Sequence, residues 1–158
     1  ETAHWLANEY GKNVTVLEML PHFMMGVCTA NRGHLLHYLE KSGVRLYNCT
    51  KVKALAKDGV YVEQNQSQTV PDPYNTWQPL LPPNIPNPME KAIKEEIVEK
   101  KIPADLIVLA MGGKADETFF FEAGEEHLAK EIYNIGDSSR AGRVLEAVRG
   151  AYHLAVRI

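Results

Sequence analysis

At 158 residues, 45% hydrophobic and 23% charged, the chain is long enough for one ordinary globular core. Its formal net charge of -3 and pI of about 6.1 give no electrostatic reason to expect nucleic acid or an anionic membrane as partner. No apolar run approaches the roughly 18 residues of a membrane span, and two cysteines, Cys28 and Cys49, lack Cys-x-x-Cys or zinc-ligand spacing. A reduced, cytoplasmic setting is the simplest expectation.

The chain opens Glu-Thr-Ala-His-Trp-Leu-Ala without a methionine and is already helical in pattern. Ala3, Leu6 and Ala7 share one face, and Gly11 ends the segment as a C-cap. A helix with nothing before it predicts a piece of a longer protein. Asn13 to Glu18 is a β-branched run that reads as a buried strand ending on an acid, and Pro21 stops it. From Thr29, read as an N-cap, a second helix runs through Leu35, Leu36 and Leu39 to Ser42-Gly43. Val44 to Tyr47 follows as another strand. Helix, strand, helix, strand with short breaks is the rhythm of a parallel sheet covered by helices.

The pattern then changes. Thr50 to Ala56 and Val60 to Gln64 flank Lys57-Asp58-Gly59, a hairpin signal, so β-structure replaces a helical crossover. A proline-rich insert at about 65–89 carries Pro71, Pro73, Pro79, Pro82, Pro83, Pro86 and Pro88, which forbid a core helix or central strand. Tyr74, Trp77 and Leu80 are expected to pack it onto the domain. Regularity returns with Ile97 to Ile102, and Ala104 to Ala110 reads as the most hydrophobic strand, broken by Gly112-Gly113. Phe119 to Phe121 fit a short helix or packed loop. Glu131 to Ile135 reads as a last short strand, and an amphipathic helix from about Gly142 to Arg157 closes the chain.

Three features carry chemistry. Glu18, at the C-terminal end of a strand, is placed to accept the hydroxyls of an adenosine ribose and would repel a 2′-phosphate; it also reads as a plain solvated glutamate. Gly112, after the long hydrophobic run, lets backbone approach a ligand, or makes an ordinary turn. Asp137, after Gly136, precedes a helix whose N-terminus can face a diphosphate; an N-cap or Asx-turn explains it equally. The histidines show no ligand spacing: His34 and His37 read as a surface pair, Cys28 and Cys49 as small buried residues, and Met19, Met24 and Met25 as loop packing. No nucleophile–base set is readable, so no catalytic and no metal-binding residue is expected.

In this order the features resemble the flavin and pyridine-nucleotide oxidoreductase superfamily. Glu1-Thr2-Ala3 looks like the residues following a G-x-G-x-x-G turn, and Val14 to Met19 like its second strand with the ribose acid. The hairpin at Asp58-Gly59 is similar to the three-stranded β-crossover of these proteins. Ala104 to Gly112 resembles the segment returning to the flavin domain, and Ile135-Gly136-Asp137 resembles the motif whose aspartate binds FAD. Gly142 to Ala147 and the insert with Tyr74-Asn75-Thr76-Trp77 look most like the 2,4-dienoyl-CoA reductase and enoate reductase group, relatives of old yellow enzyme and trimethylamine dehydrogenase.

The resemblance implies an incomplete, Rossmann-like three-layer α/β fold with a β-hairpin crossover and the first strand missing. It implies an NAD(H)-binding domain over 1–113 and the C-terminal segment of an FAD-binding domain over 114–158. Its cofactor-binding residues fall on Glu18, Met19, Ala110, Met111, Gly112, Gly136, Asp137 and Val144. The implied cofactors are NADH, in preference to NADPH, and FAD, with FMN and an iron–sulfur cluster upstream. The implied partners are the nicotinamide dinucleotide and the rest of the parent chain. The strand edge left open predicts weak or no NADH binding by the isolated piece, and pairing with a second copy is one way to cover it. A fragment of an NADH oxidase or ferredoxin-type reductase shares these features. A non-catalytic α/β interaction module docking a partner on the insert is the alternative outside enzymes.

Overall fold

The computed structural model describes residues 1–77 and 84–158, so Pro79, Leu80, Pro82 and Pro83 lie outside the described residues. The chain divides into two units, Glu1–Ile107 and Val108–Ile158. Both sheets belong to the first unit, one parallel and one antiparallel, which makes the fold mixed α/β as expected.

Helix α1 (Thr2–Tyr10) ends where Gly11 turns left-handed at φ 57°, a conformation that glycine enters without penalty. Strand β1 (Thr15–Leu17) pairs in parallel with β2 (Arg45–Tyr47), Val16 opposite Leu46. Between them α2 (Thr29–Lys41) makes the crossover. Its N-cap is Cys28 and not Thr29: no side chain caps this end, and Thr29 already has helical geometry. The apolar residues of α2 fall three and four apart and bury Leu36 and Leu39 against Phe23, Val44 and Leu46, with Ala3, Ala7, Val14, Val16 and Tyr74 packed around them.

Strands β3 (Thr50–Ala56), β4 (Gly59–Asn65) and β5 (Ile97–Pro103) form an antiparallel sheet in that order. Lys53 is bulged out of register between Val52 and Ala54. The hairpin turn is Lys57-Asp58, and Gly59 is the first residue of β4, paired with Ala56. Glycine is needed there because a Cβ would run into the Ile102 carbonyl of β5.

The proline-rich excursion connects β4 to β5. Asn65 closes its neck: Oδ1 accepts the Ser67 and Glu96 N–H groups, each at 3.1 Å, and Nδ2 donates to the Lys94 carbonyl at 2.8 Å. The described part of the excursion contains no helix or strand, in keeping with its prolines. Tyr74 packs on the core as expected, whereas Trp77 stays 60% exposed.

Two expected strands are absent among the described residues. Ala104 to Ala110 joins no ladder, and Leu106 and Leu109 are exposed. Glu131 to Ile135 is likewise unpaired. Composition favours extended backbone in both runs, but a strand needs a neighbour to satisfy its N–H and C=O groups, and none is described beside either.

The second unit carries α3 (Thr118–Glu125), a single 3₁₀ turn at Gly136–Ser138 and α4 (Val144–Ala155). Ala123 is its one buried hydrophobic residue among those described. Phe119, Phe121, Val144, Val148 and Tyr152 face outward.

Candidate functional site

Glu18 follows β1 directly, and its main chain bonds to both sheets. Its N–H donates to the Tyr47 carbonyl at 2.9 Å, and its carbonyl accepts the Thr50 N–H at 2.8 Å. The residue is half-buried, and its Oε1 accepts the Leu20 N–H at 2.9 Å. That bond fixes the side chain at the C-terminal edge of the parallel pair, where open α/β sheets receive ligands. The second oxygen, Oε2, adds acceptor capacity of the kind a vicinal diol requires.

The loop after Glu18 turns twice through left-handed backbone, at Met24 (φ 55°) and Gly26 (φ 80°). Met19 and Met25 are exposed, while Met24 packs on the core, so loop packing holds for one of the three methionines. Cys28 is exposed, against the expectation of burial. Cys49 is half-buried, and burial raises its thiol pKa, which disfavours the nucleophilic thiolate. His34 and His37 lie on the surface as a pair, and with His4 they edge against the Tyr38 ring. Among the described residues no His, Cys, Asp and Glu cluster suits a metal ion.

In the second unit, Gly136 (φ 70°) starts the 3₁₀ turn, and its carbonyl accepts the Ser139 and Arg140 N–H groups at 3.1 and 2.9 Å. Asp137 is exposed, and its Oδ1 accepts the Gly142 N–H at 3.2 Å. Arg143, the N-cap of α4, is tied to Glu146 three residues on. Glu146 Oε2 accepts the Arg143 backbone N–H at 3.0 Å, and Oε1 accepts from Nη2 at 2.6 Å. The guanidinium holds the Glu146 carboxyl down at about 2. A hollow of about 540 Å³ lies here, lined by Gly136, Arg140, Gly142, Arg143, Glu146 and Ala147 among others. The helix start and Arg140 favour an anion, while the Arg143 guanidinium is already paired with the Glu146 carboxylate on the same wall.

Of the expected cofactor residues, Gly136 lines this hollow, with Asp137 and Val144 on the same turn-and-helix entry. Gly113 lies near it, since a Cβ there would come within 3.8 Å of the Ala141 Cβ. Ala110 and Met111 lie on the unpaired run before Gly112, whose backbone is left-handed at φ 80°. Glu18 and Met19 belong to the first unit. The sequence reading missed Arg140 and took Arg143 and Glu146 only as part of the Gly142 to Ala147 run, because the hollow they share is not written in any spacing.

A parallel strand pair with its helical crossover, continued into an antiparallel three-stranded sheet, defines a partial Rossmann-like nucleotide-binding fold. The sequence matches the pyridine nucleotide-disulphide oxidoreductase family over residues 1–150, and the chain belongs to that family. It is similar in structure to a 2-naphthoyl-CoA reductase solved in complex with 2-naphthoyl-CoA, with a TM-score of 0.70 and 25% identity. The match covers 99% of this chain and 19% of that one, so the chain spans about a fifth of the reductase's length. No curated protein matches. Among the described residues, no helix is long and apolar enough to cross a membrane.

Proposed function

We propose that the chain is the dinucleotide-handling portion of an NADH-dependent flavin oxidoreductase of the 2,4-dienoyl-CoA reductase and enoate reductase group. In this reading residues 1–113 receive the nicotinamide nucleotide and 114–158 contribute to the FAD domain. Electrons pass from NADH through FAD towards an FMN that reduces an enoate or dienoyl-CoA, with an iron–sulfur cluster in the same parent. Family membership and the likeness to a CoA-ester reductase support it.

The observation that carries the nucleotide assignment is the Glu18 carboxylate, held at the end of β1 by the Leu20 N–H. Its acceptors suit the paired hydroxyls of an adenosine ribose, and its charge opposes a 2′-phosphate, which favours NADH over NADPH. Asp137, Gly136 and the first turn of α4 suit FAD: a carboxylate for sugar-alcohol hydroxyls and backbone N–H groups for a diphosphate. Hydride acceptance and electron transfer are the flavin's chemistry; the residues of this chain bind and orient. Ala110, Met111, Gly112, Met19 and Val144 complete the proposed contacts.

The test is Glu18→Ala in the full-length enzyme. Loss of a charge-assisted hydrogen bond of about 1.5–3 kcal/mol raises KM for NADH by roughly 10- to 100-fold. Unchanged NADH kinetics would remove Glu18 from the site.

A further inference from the structure

Two side chains each bridge the loop after Glu18 to the proline-rich excursion. Asn48 Nδ2 donates to the Pro21 carbonyl at 2.6 Å and to the Pro71 carbonyl at 2.8 Å. Arg32, from α2, donates through Nε to the Phe23 carbonyl at 2.9 Å and through Nη1 to the Asn75 carbonyl at 3.1 Å. Thr76 O lies 3.5 Å from the same Nη1. Both clamps have one end on Pro21–Phe23 and the other on 71–76.

Arg32 is only 3% exposed, and no carboxylate pairs with it among the described residues. Burying a guanidinium costs stability unless its donors are met, and here main-chain carbonyls meet them. The excursion is shaped in advance to supply those carbonyls. Asp72 Oδ1 accepts the Tyr74 N–H at 3.0 Å, and Asn75 Oδ1 accepts the Trp77 N–H at 3.0 Å. It passes close to α2 at Gly33, where a Cβ would meet the Thr76 Cβ at 3.6 Å.

The clamped loop follows directly on Glu18, whose carboxylate the Leu20 N–H orients, and it contains left-handed Met24, a conformation that persists only when its surroundings impose it. We propose that residues 71–76 form a strap which, through Arg32 and Asn48, fixes the 19–27 loop and so presets Glu18 for the nucleotide. Arg32 and Asn48 are positioning residues for nucleotide binding, an inference that rests on the assignment of Glu18 made above. The strap thus has a role in cofactor affinity.

The experiment uses the full-length enzyme with Arg32→Lys, which replaces the separate Nε and Nη1 donors by a single nitrogen, and separately with Asn48→Ala, the milder change should Arg32→Lys fail to fold. NADH kinetics and hydrogen exchange of residues 19–27 are read together, with Gly59→Ala as a control that destabilises the protein at the β3–β4 hairpin, outside the strap and the loop. Both variants should speed loop exchange and raise KM for NADH about tenfold at unchanged kcat, the mark of lost binding alone, while Gly59→Ala leaves KM unaltered. Faster loop exchange with unaltered KM overturns the positioning role, and unaltered exchange overturns the clamp itself. An equal rise in KM for Gly59→Ala assigns the effect to general destabilisation and overturns the positioning role. If Glu18→Ala also leaves KM unaltered, the nucleotide reading falls and the proposal with it; if only the clamp variants do, that reading stands.

Discussion

The Tyr74 hydroxyl donates to the Val44 carbonyl at 2.6 Å, and it also accepts the Leu46 N–H at 3.2 Å. One side chain therefore occupies a donor on β2 and the acceptor of the residue just before it, as a neighbouring strand would. Replacing Tyr74 by phenylalanine leaves both main-chain groups without that partner. A loss of about 1–3 kcal/mol is expected, read as a lower denaturant midpoint at unchanged slope.

Asn65 makes three hydrogen bonds at the neck of the excursion and is 8% exposed. Asn65→Ala strips two N–H groups and one carbonyl of their partner at once. It should destabilise the protein by roughly 2–4 kcal/mol and open 66–70 and 93–96 to proteolysis. Unchanged cleavage there would show that the neck is held by other bonds, such as Gln66 N–H to Glu96 O at 2.9 Å.

Gly59 has φ +155° and no room for a Cβ beside the Ile102 carbonyl. Gly59→Ala must push β4 and β5 apart at that end, which also strains the Lys101–Asp58 ion pair of 2.6 Å. A cost of about 1–3 kcal/mol is expected by thermal or chemical unfolding. Stability equal to the parent's would show that the hairpin end yields freely.

Glu146 titrates at about 2 in the folded chain against an ordinary 4.5. The depressed value means that its contribution is present above pH 4.5 and is lost as pH falls from there towards 2. The protection factor of the Arg143 amide, whose N–H the Glu146 carboxylate accepts, should therefore hold at pH 5 and fall across that window. Glu146→Gln should remove the pH dependence; its persistence would assign the transition to another group.

The legible parts of this molecule were those written in local periodicity. The β-branched run before Glu18, the three-and-four spacing of Leu35, Leu36 and Leu39, and Gly11 as a helix stop each state their own geometry. Ala104 to Ala110 shows where that language ends: its composition specifies extended backbone but says nothing of a partner strand, and the run stays unpaired. Glu18 could be placed at a strand end, but not the Leu20 N–H that orients it. Tyr74 could be expected on the core, but not its bond to Val44, 30 residues away; Arg32 and Asn48 were illegible because they have partners 43 and 27 residues away, and nothing in the intervening sequence encodes the meeting.

The backbone of Glu18 stitches β2 to β3 whatever side chain it bears, through the Tyr47 carbonyl and the Thr50 N–H. Architecture and the ligand choice proposed for Glu18 thus reside in different atoms of one residue. Descendants of this sequence are free to exchange the carboxylate for a neutral or cationic group without re-inventing the scaffold that presents it.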